Sequence, residues 1–425
     1  MLIHSAKQLL TLAGPAQRGQ ELGSLSIIPD GAVLTQGDRI LAVGPTHQLL
    51  AQYPDEPQIN ASGKVVLPGF VDPHTHAIWA GDRATEFELK LEGKSYLEIL
   101  QSGGGILSTV RATRQANANQ LLQETKTRLW RAFQHGTTTI EIKTGYGLEL
   151  ETELRMLDVI LHLENEGPWD VVPTFLGAHA IAPEFKNNPQ GYTDHLCESM
   201  LPALKQWWQA HHTGVQLPFV DVFCETGAFD LAQSRQILNT AKQLGFPLKI
   251  HADEFDNLGG ASLAVEFGAT SADHLVTTSA EDIEAIGQSD TVAVGLPGTP
   301  FGLAEKDYTP AKAILEANGI LAIASDLNPG TTWCENLQMS IALACRYMKI
   351  TPAQAIAAAT INAAAALGLQ DKIGSIEVGK QADILVLDVP DYRHLGYRYG
   401  TNLVHTVIKK GAVYPVINNP LQYGM

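Results

Sequence analysis

What most constrains this chain is a recurrence of architecture. Between residues 65 and 326 an apolar, β-branched run of strand length appears eight times, and a polar loop follows each one. The runs are Val65 to His76, Thr137 to Lys143, Asp170 to His179, Phe219 to Glu225, Pro247 to Glu254, Ala269 to His274, Thr291 to Pro297 and Ile320 to Asp326. Helical patterns such as 117–135 and 232–244 lie between most of them, which is how successive βα units on a parallel sheet read. Most runs end in His, Glu, Asp or Lys. Catalytic groups of a barrel come from the C-terminal ends of different strands, so the predicted fold is an α/β (β/α)₈ TIM barrel and not a doubly wound sheet. No dinucleotide fingerprint or Walker loop is present, and Gly103-Gly-Gly-Ile follows a helical stretch, so it reads as an active-site loop.

Both ends have another texture. Short β-type runs alternate with turn signals such as Asp30-Gly31 and Gly37-Asp38, and the same pattern returns in 374–380, 382–388 and 405–411. The expected organisation is a barrel over 64–367 and a smaller composite β-sandwich built from 1–63 and 368–425.

Composition excludes several classes. At 45% hydrophobic and 17% charged residues the chain can bury a large core, which rules out disorder. A net charge of −16 argues against a nucleic-acid partner. No apolar run reaches the ~20 residues of a membrane span, and the N-terminus lacks a signal-peptide pattern, so a soluble cytoplasmic protein is expected. The four cysteines, at 197, 224, 334 and 345, include no CxxC pair, so any metal must rest on carboxylates and the fourteen histidines.

His74 and His76 close the first run two residues apart, a spacing that turns both imidazoles to one side of a strand. His251 and Asp326 end two other runs, and together these four form a donor set suited to Zn²⁺ or Fe²⁺ with room for water. His274 is a further strand-end imidazole, either another ligand or a base that orients water. Glu254, three residues past His251, is placed for proton transfer. Glu225 is a candidate for an outer contact, and Lys143 is a competitor for a second-metal role.

These strand-end residues and the β-rich ends resemble the amidohydrolase superfamily. Within it the stretches PGFVDPHTH, GGGILSTVRATR, KTGYGLELETELRML, FLGAHAIAPEF, DVFCETGAFD, IHADEF, SADHL, LPGTPFGL and SDLNPGT are similar to the imidazolonepropionase family, from residue 68 to 331. The similarity continues through TPAQAIAAATINAAAALG and IGSIEVGKQADILVLD. The resemblance implies metal ligation by His74, His76, His251 and Asp326, and substrate contacts from Arg83, Tyr96, Tyr146, His179, Glu254, His274, Asn328, Gly330 and Thr331. Two positions depart from the family pattern: Trp79 stands where Phe is usual, and Trp333-Cys-Glu-Asn replaces a Ser- and Pro-containing sequence.

The implied reaction is hydrolysis of the ring amide of 4-imidazolone-5-propanoate to N-formimino-L-glutamate, with Glu254, His274 and Asp326 as the catalytic groups. Arg83 would grip the carboxylate tail, and Tyr146 and His179 would complete that clamp. One divalent ion per chain, zinc or iron (Fe²⁺ or Fe³⁺), is expected, since the fourth run lacks the Lys with which dinuclear relatives bridge two metals. The resemblance also allows a homodimer. Two alternatives stand beside this reading: an aminohydrolase that deaminates a purine or pyrimidine, and a binding or scaffold protein that kept the fold without turnover.

Overall fold

The computed structural model describes residues 1–94, 104–212 and 214–416. Strands β1 (Leu2–Leu10), β2 (Ile27–Gln36), β3 (Arg39–Pro45), β4 (Gln58–Asn60) and β5 (Val65–Pro68) come first. They join β14 (Ile384–Leu387), β15 (Val404–Lys409) and β16 (Ala412–Pro415) in one eight-stranded sheet, so both ends of the chain share a unit. β14 links the two halves by pairing antiparallel with β5 on one side and β15 on the other. Its residues alternate between two cores. Ile384 and Val386 pack with Ile3, Val33 and Ile40, whereas Leu385 and Leu387 face the large cluster of the barrel.

The barrel strands are β6 (Phe70–Asp72), β7 (Thr137–Lys143), β8 (Asp170–Ala178), β9 (Phe219–Cys224), β10 (Lys249–Ala252), β11 (Ser271–His274), β12 (Val292–Gly295) and β13 (Leu321–Ile323). They pair parallel in sequence order from β6 to β13. Helices between them carry their own start signals: Asp230 and Gln233 form a reciprocal capping box on the helix Leu231–Gln243.

The first apolar run does not form a single barrel strand. Val65–Pro68 belongs to the terminal sheet, and the first strand of the barrel sheet begins at Phe70. Here the chain crosses between sheets: Gly69 N donates to Asp383 O, and the next amide, Phe70 N, donates to Gly136 O. A Cβ on Gly69 would sit 2.2 Å from Thr138 Oγ1, so a side chain has no room at the crossing.

β6 and β13 close the barrel without a regular ladder. Their continuations meet through a single parallel bridge, Thr75 to Leu327.

Candidate active site

That closing seam carries three of the expected donors. His76 N donates to Leu327 O at 2.9 Å, and Asp326 N donates to His74 O at 3.1 Å. His74, His76 and Asp326 therefore stand just past the last residues of β6 and β13, where the sequence reading put them at strand ends. His251 lies inside β10 and His274 ends β11. Asp326 (φ 52°) and His274 (φ 79°) adopt left-handed backbone conformations, sparsely populated for residues with a Cβ and typical of functional sites. The backbone at His274 leaves extended geometry, and the adjacent Asp273 and His274 both contact the histidines of the centre.

The side chains converge. Asp326 Oδ1 lies 3.6 Å from both His74 Nε2 and His76 Nε2, and His251 Nε2 lies 3.3 Å from His76 Nε2. The donor atoms of His74, His76 and Asp326 lie within 4.8 Å of one another, and so do those of His74, His251 and His274. All five residues are buried.

Outer carboxylates orient the rings. His74 Nδ1 meets Asp273 Oδ2 at 2.6 Å, and His251 Nδ1 lies 3.0 Å from Asp221 Oδ2. A proton placed on each Nδ1 leaves Nε2 bare and aimed inward, and His74 Nε2 is buried with no hydrogen-bond partner among the described residues. Burial, reinforced by neighbouring Lys143 for His74, His179 for His76 and His251 for His274, holds these three imidazoles well below their ordinary pKa. Their neutral form is favoured, which for His74 and His76 is the form a metal ligand requires. Bare nitrogens facing a carboxylate oxygen in a dry interior repel one another, and a divalent cation converts that repulsion into coordination, so the donor set fits a metal ion.

Beneath the donors lies a charged layer that the sequence reading missed. Lys143 Nζ donates to Glu141 at 2.7 Å and to Asp221 at 2.8 Å, and lies 3.8 Å from Asp273. The sequence makes Lys143 a competitor for a second-metal role, but in the fold its ammonium is engaged by carboxylates. Although burial opposes its charge, Asp221, Glu141 and Asp273 hold its pKa above the ordinary lysine value. Lys249 Nζ donates to Pro73 O at 3.0 Å and stands 3.8 Å from Asp273. The signal was present as period two: Glu141 precedes Lys143, and Lys249 precedes His251, each by two residues.

A small cavity of about 150 Å³ opens onto this centre, lined by His76, His251 and His274 together with Arg83, Tyr146, Glu254, Asn328, Gly330 and Thr331. His179 stacks on His76 at 4.7 Å between centroids, with its Nδ1 3.0 Å from Gly145 O. Burial, then the charge of His251, pushes its pKa down to about 3. Tyr146 is buried beside it, which moves its phenol pKa upward. Glu254 Oε2 is 3.6 Å from His274 Nε2, and burial followed by Asp326 and Glu225 raises its carboxyl well above the usual range. Glu225 accepts from Thr226 N, Phe255 N and Asp256 N, so it pins the loop that carries Glu254. Asp326 Oδ2 accepts from the Thr299 hydroxyl, another group absent from the sequence reading.

Two expected substrate contacts are already engaged. Arg83 donates to Glu86 from Nε at 2.9 Å and again from Nη2, while a Cβ on Gly330 would lie 2.3 Å from Arg83 Nη1. Nε and Nη2 are thus engaged by Glu86, whereas Nη1 faces the loop of Gly330 with no hydrogen bond among the described residues. Asn328 folds its own loop: Oδ1 accepts from Gly330 N and Thr331 N, and Nδ2 donates to Asp326 O and Thr331 Oγ1. Tyr96 lies outside the described residues.

Residues 65–414 match the model of the amidohydrolase family, and residues 31–55 match the bacterial imidazolonepropionase-like composite domain. An imidazolonepropionase of Herpetosiphon aurantiacus is 50% identical over 97% of this chain and 96% of its own length. One from Symbiobacterium thermophilum is 46% identical over 97% and 96%. Among solved structures, an atrazine chlorohydrolase of Arthrobacter aurescens complexed with zinc superimposes with TM-score 0.68 at 14% identity, covering 99% of this chain and 97% of the other. Guanine deaminase of E. coli does so with TM-score 0.70 at 15% identity, covering 97% and 98%. At these identities the solved structures speak for the fold alone. Sequence identity near one half along almost the whole length of both chains is a far narrower likeness, and by it this chain belongs to the imidazolonepropionase family of the amidohydrolases.

Proposed function

We propose that the chain hydrolyses the ring amide of 4-imidazolone-5-propanoate, giving N-formimino-L-glutamate in histidine degradation. The observation that carries this reading beyond family membership is one small cavity lined both by the buried histidine centre and by an arginine. A ring to be hydrolysed and a carboxylate tail need those two features at once. A neutral nucleobase needs only the first.

His74, His76, His251 and Asp326 would hold one divalent ion, zinc or iron, in a family whose members depend on metal. When bound, such an ion polarises a carbonyl and lowers the pKa of water from 15.7 toward ~7. The rest falls to the chain's own side chains. Asp326 takes the proton of the attacking water, steadied by the Thr299 hydroxyl on its other oxygen. His274, neutral in its buried setting, donates to the oxyanion that develops on the ring carbonyl. Glu254, whose protonated form burial favours, delivers a proton to the ring nitrogen as the C–N bond breaks. The carbonyl carbon becomes a carboxylate that stays bonded to the carbon bearing the propionate tail, and the nitrogen released from it becomes the terminal nitrogen of the formimino group. Arg83 grips the propionate through its Nη1 edge, with Tyr146 and His179 beside it, and Asn328 shapes the loop that presents Gly330 and Thr331.

We place the reaction in the cytoplasm. All four cysteines are free, as thiols stay in a reducing compartment. No helix among the described residues is long and apolar enough to cross a membrane.

The test is an absorbance assay on imidazolone propionate with identification of the product, beside ammonia release from guanine. Ring opening of the first without ammonia from the second is expected. Ammonia from guanine with no turnover of the imidazolone would establish the deaminase reading instead.

A further inference from the structure

Trp79 and Trp333 lie 254 residues apart in sequence and touch in the fold. Their rings meet edge to face, 4.9 Å between centroids at 89°. Arg128, buried on the helix Ala118–Gln134, lays its guanidinium 3.4 Å over the Trp79 ring and 5.5 Å from that of Trp333. The same guanidinium donates from Nη1 to Ala77 O at 3.0 Å and Trp79 O at 3.1 Å. One turn further on, Arg131 reaches Glu335 at 3.4 Å, and Glu335 also accepts from Trp333 Nε1 at 3.2 Å. One helix thus grips two loops: the one after β6, which leads to Arg83, and the one after β13, which carries Gly330 and Thr331.

The location matters. β6 and β13 share only the Thr75–Leu327 bridge, so backbone pairing fixes the spacing of these loops less firmly here than between the laddered neighbours. Above that seam Arg83 Nη1 rests against Gly330, where a Cβ would displace it, so a change in loop spacing moves the guanidinium.

We infer that Trp79, Arg128 and Trp333 form a latch across the barrel seam and act as positioning residues that hold Arg83 in register for a substrate's carboxylate tail. The latch rests on the reading of Arg83 as the tail anchor. It touches neither the metal donors nor Glu254 and His274, so it governs binding of the tail and not the hydrolytic step. An edge-to-face ring contact with a cation beside it is worth enough that its loss changes an equilibrium by roughly 5- to 30-fold.

Trp333 is half exposed, so it can be changed without opening the core. Trp333→Ala and Trp333→Phe are compared with the parent chain on imidazolone propionate and on its analogue with a neutral amide tail. Trp333→Ala should raise KM for the acid about 5- to 30-fold with kcat within about twofold, leave the amide unchanged, and be largely rescued in Trp333→Phe. An unchanged KM, or an equal loss on both compounds, overturns the latch. Arg83→Ala, run alongside, separates the two levels. If it removes the preference for the acid while Trp333→Ala does not, the latch alone fails. If Arg83→Ala leaves that preference intact, the anchor reading fails and the latch falls with it.

Discussion

His74 Nδ1 lies 2.6 Å from Oδ2 of Asp273, a carboxylate on β11, and neither side chain is exposed to solvent. The contact fixes which nitrogen of His74 carries the proton and so which one faces the centre. Asp273→Asn removes the charge while keeping the shape. Partners of this kind typically contribute 10- to 100-fold in metal affinity, so competition with a chelator should show a loss of about that size with the far-ultraviolet spectrum unchanged. Affinity equal to the parent would reduce Asp273 to a packing role.

Metal analysis of the purified protein should return about one divalent ion per chain, and His74→Ala should lose it. The donors share a single centre, and Lys143, the expected competitor for a second-metal role, is committed to Glu141 and Asp221. Two tightly held ions per chain would contradict this.

Asp326→Asn should keep the fold, since the Thr299 hydroxyl and the backbone contact to His74 survive in an amide. Loss of the proton acceptor should cost about 10²- to 10⁴-fold in kcat. Near-normal turnover with metal bound would confine Asp326 to a structural role.

Arg83 shares its guanidinium with Glu86, which also accepts from Gly105 N at 2.8 Å. Glu86→Gln weakens the hold on Nε and Nη2 and frees the loop at Gly105. The expected result is a KM for the acid raised by roughly 3- to 10-fold, as for the loss of a charge-assisted contact, with a smaller change in kcat. Steady-state kinetics decide it, and a fall in kcat alone would place Glu86 in the chemistry.

Acid stability has one identifiable source at the base of the barrel. Asp170, at the start of β8, accepts from Gln381 at 2.6 Å and from Lys409 at 2.7 Å, joining barrel to terminal sheet. Burial favours its neutral form, but Lys409, Lys410 and Gln381 outweigh that and hold its pKa below 3.8. A depressed carboxylate contributes stability above its unfolded value, and the contribution fades as pH falls through the lower folded value. Asp170→Asn should therefore lower stability by about 1–3 kcal/mol at pH 7 in urea unfolding, and the gap should narrow below pH ~4. A gap independent of pH would show that shape, not charge, is what Asp170 supplies.

The sequence by itself determined the architecture and the kind of chemistry. Strand-length apolar runs alternating with helical patterns leave few folds other than a parallel barrel, and His, Asp and Glu at the ends of those runs mark its catalytic rim. Tertiary structure decided what depends on contacts distant in sequence. Val65–Pro68 reads like barrel strand, but β14 pairs with it from more than 300 residues away, and the tight crossing at Gly69 turns the chain into the second sheet. Asp221 and Asp273 look like ordinary strand residues until the barrel closes and brings them against His251 and His74. Arg83 looks free to clamp a substrate until Glu86 takes two of its donors. Local pattern fixes which face of a strand a residue occupies. Which partner it meets there is fixed by the closure of the barrel, where one buried charge is tolerated only because another arrives from a different strand.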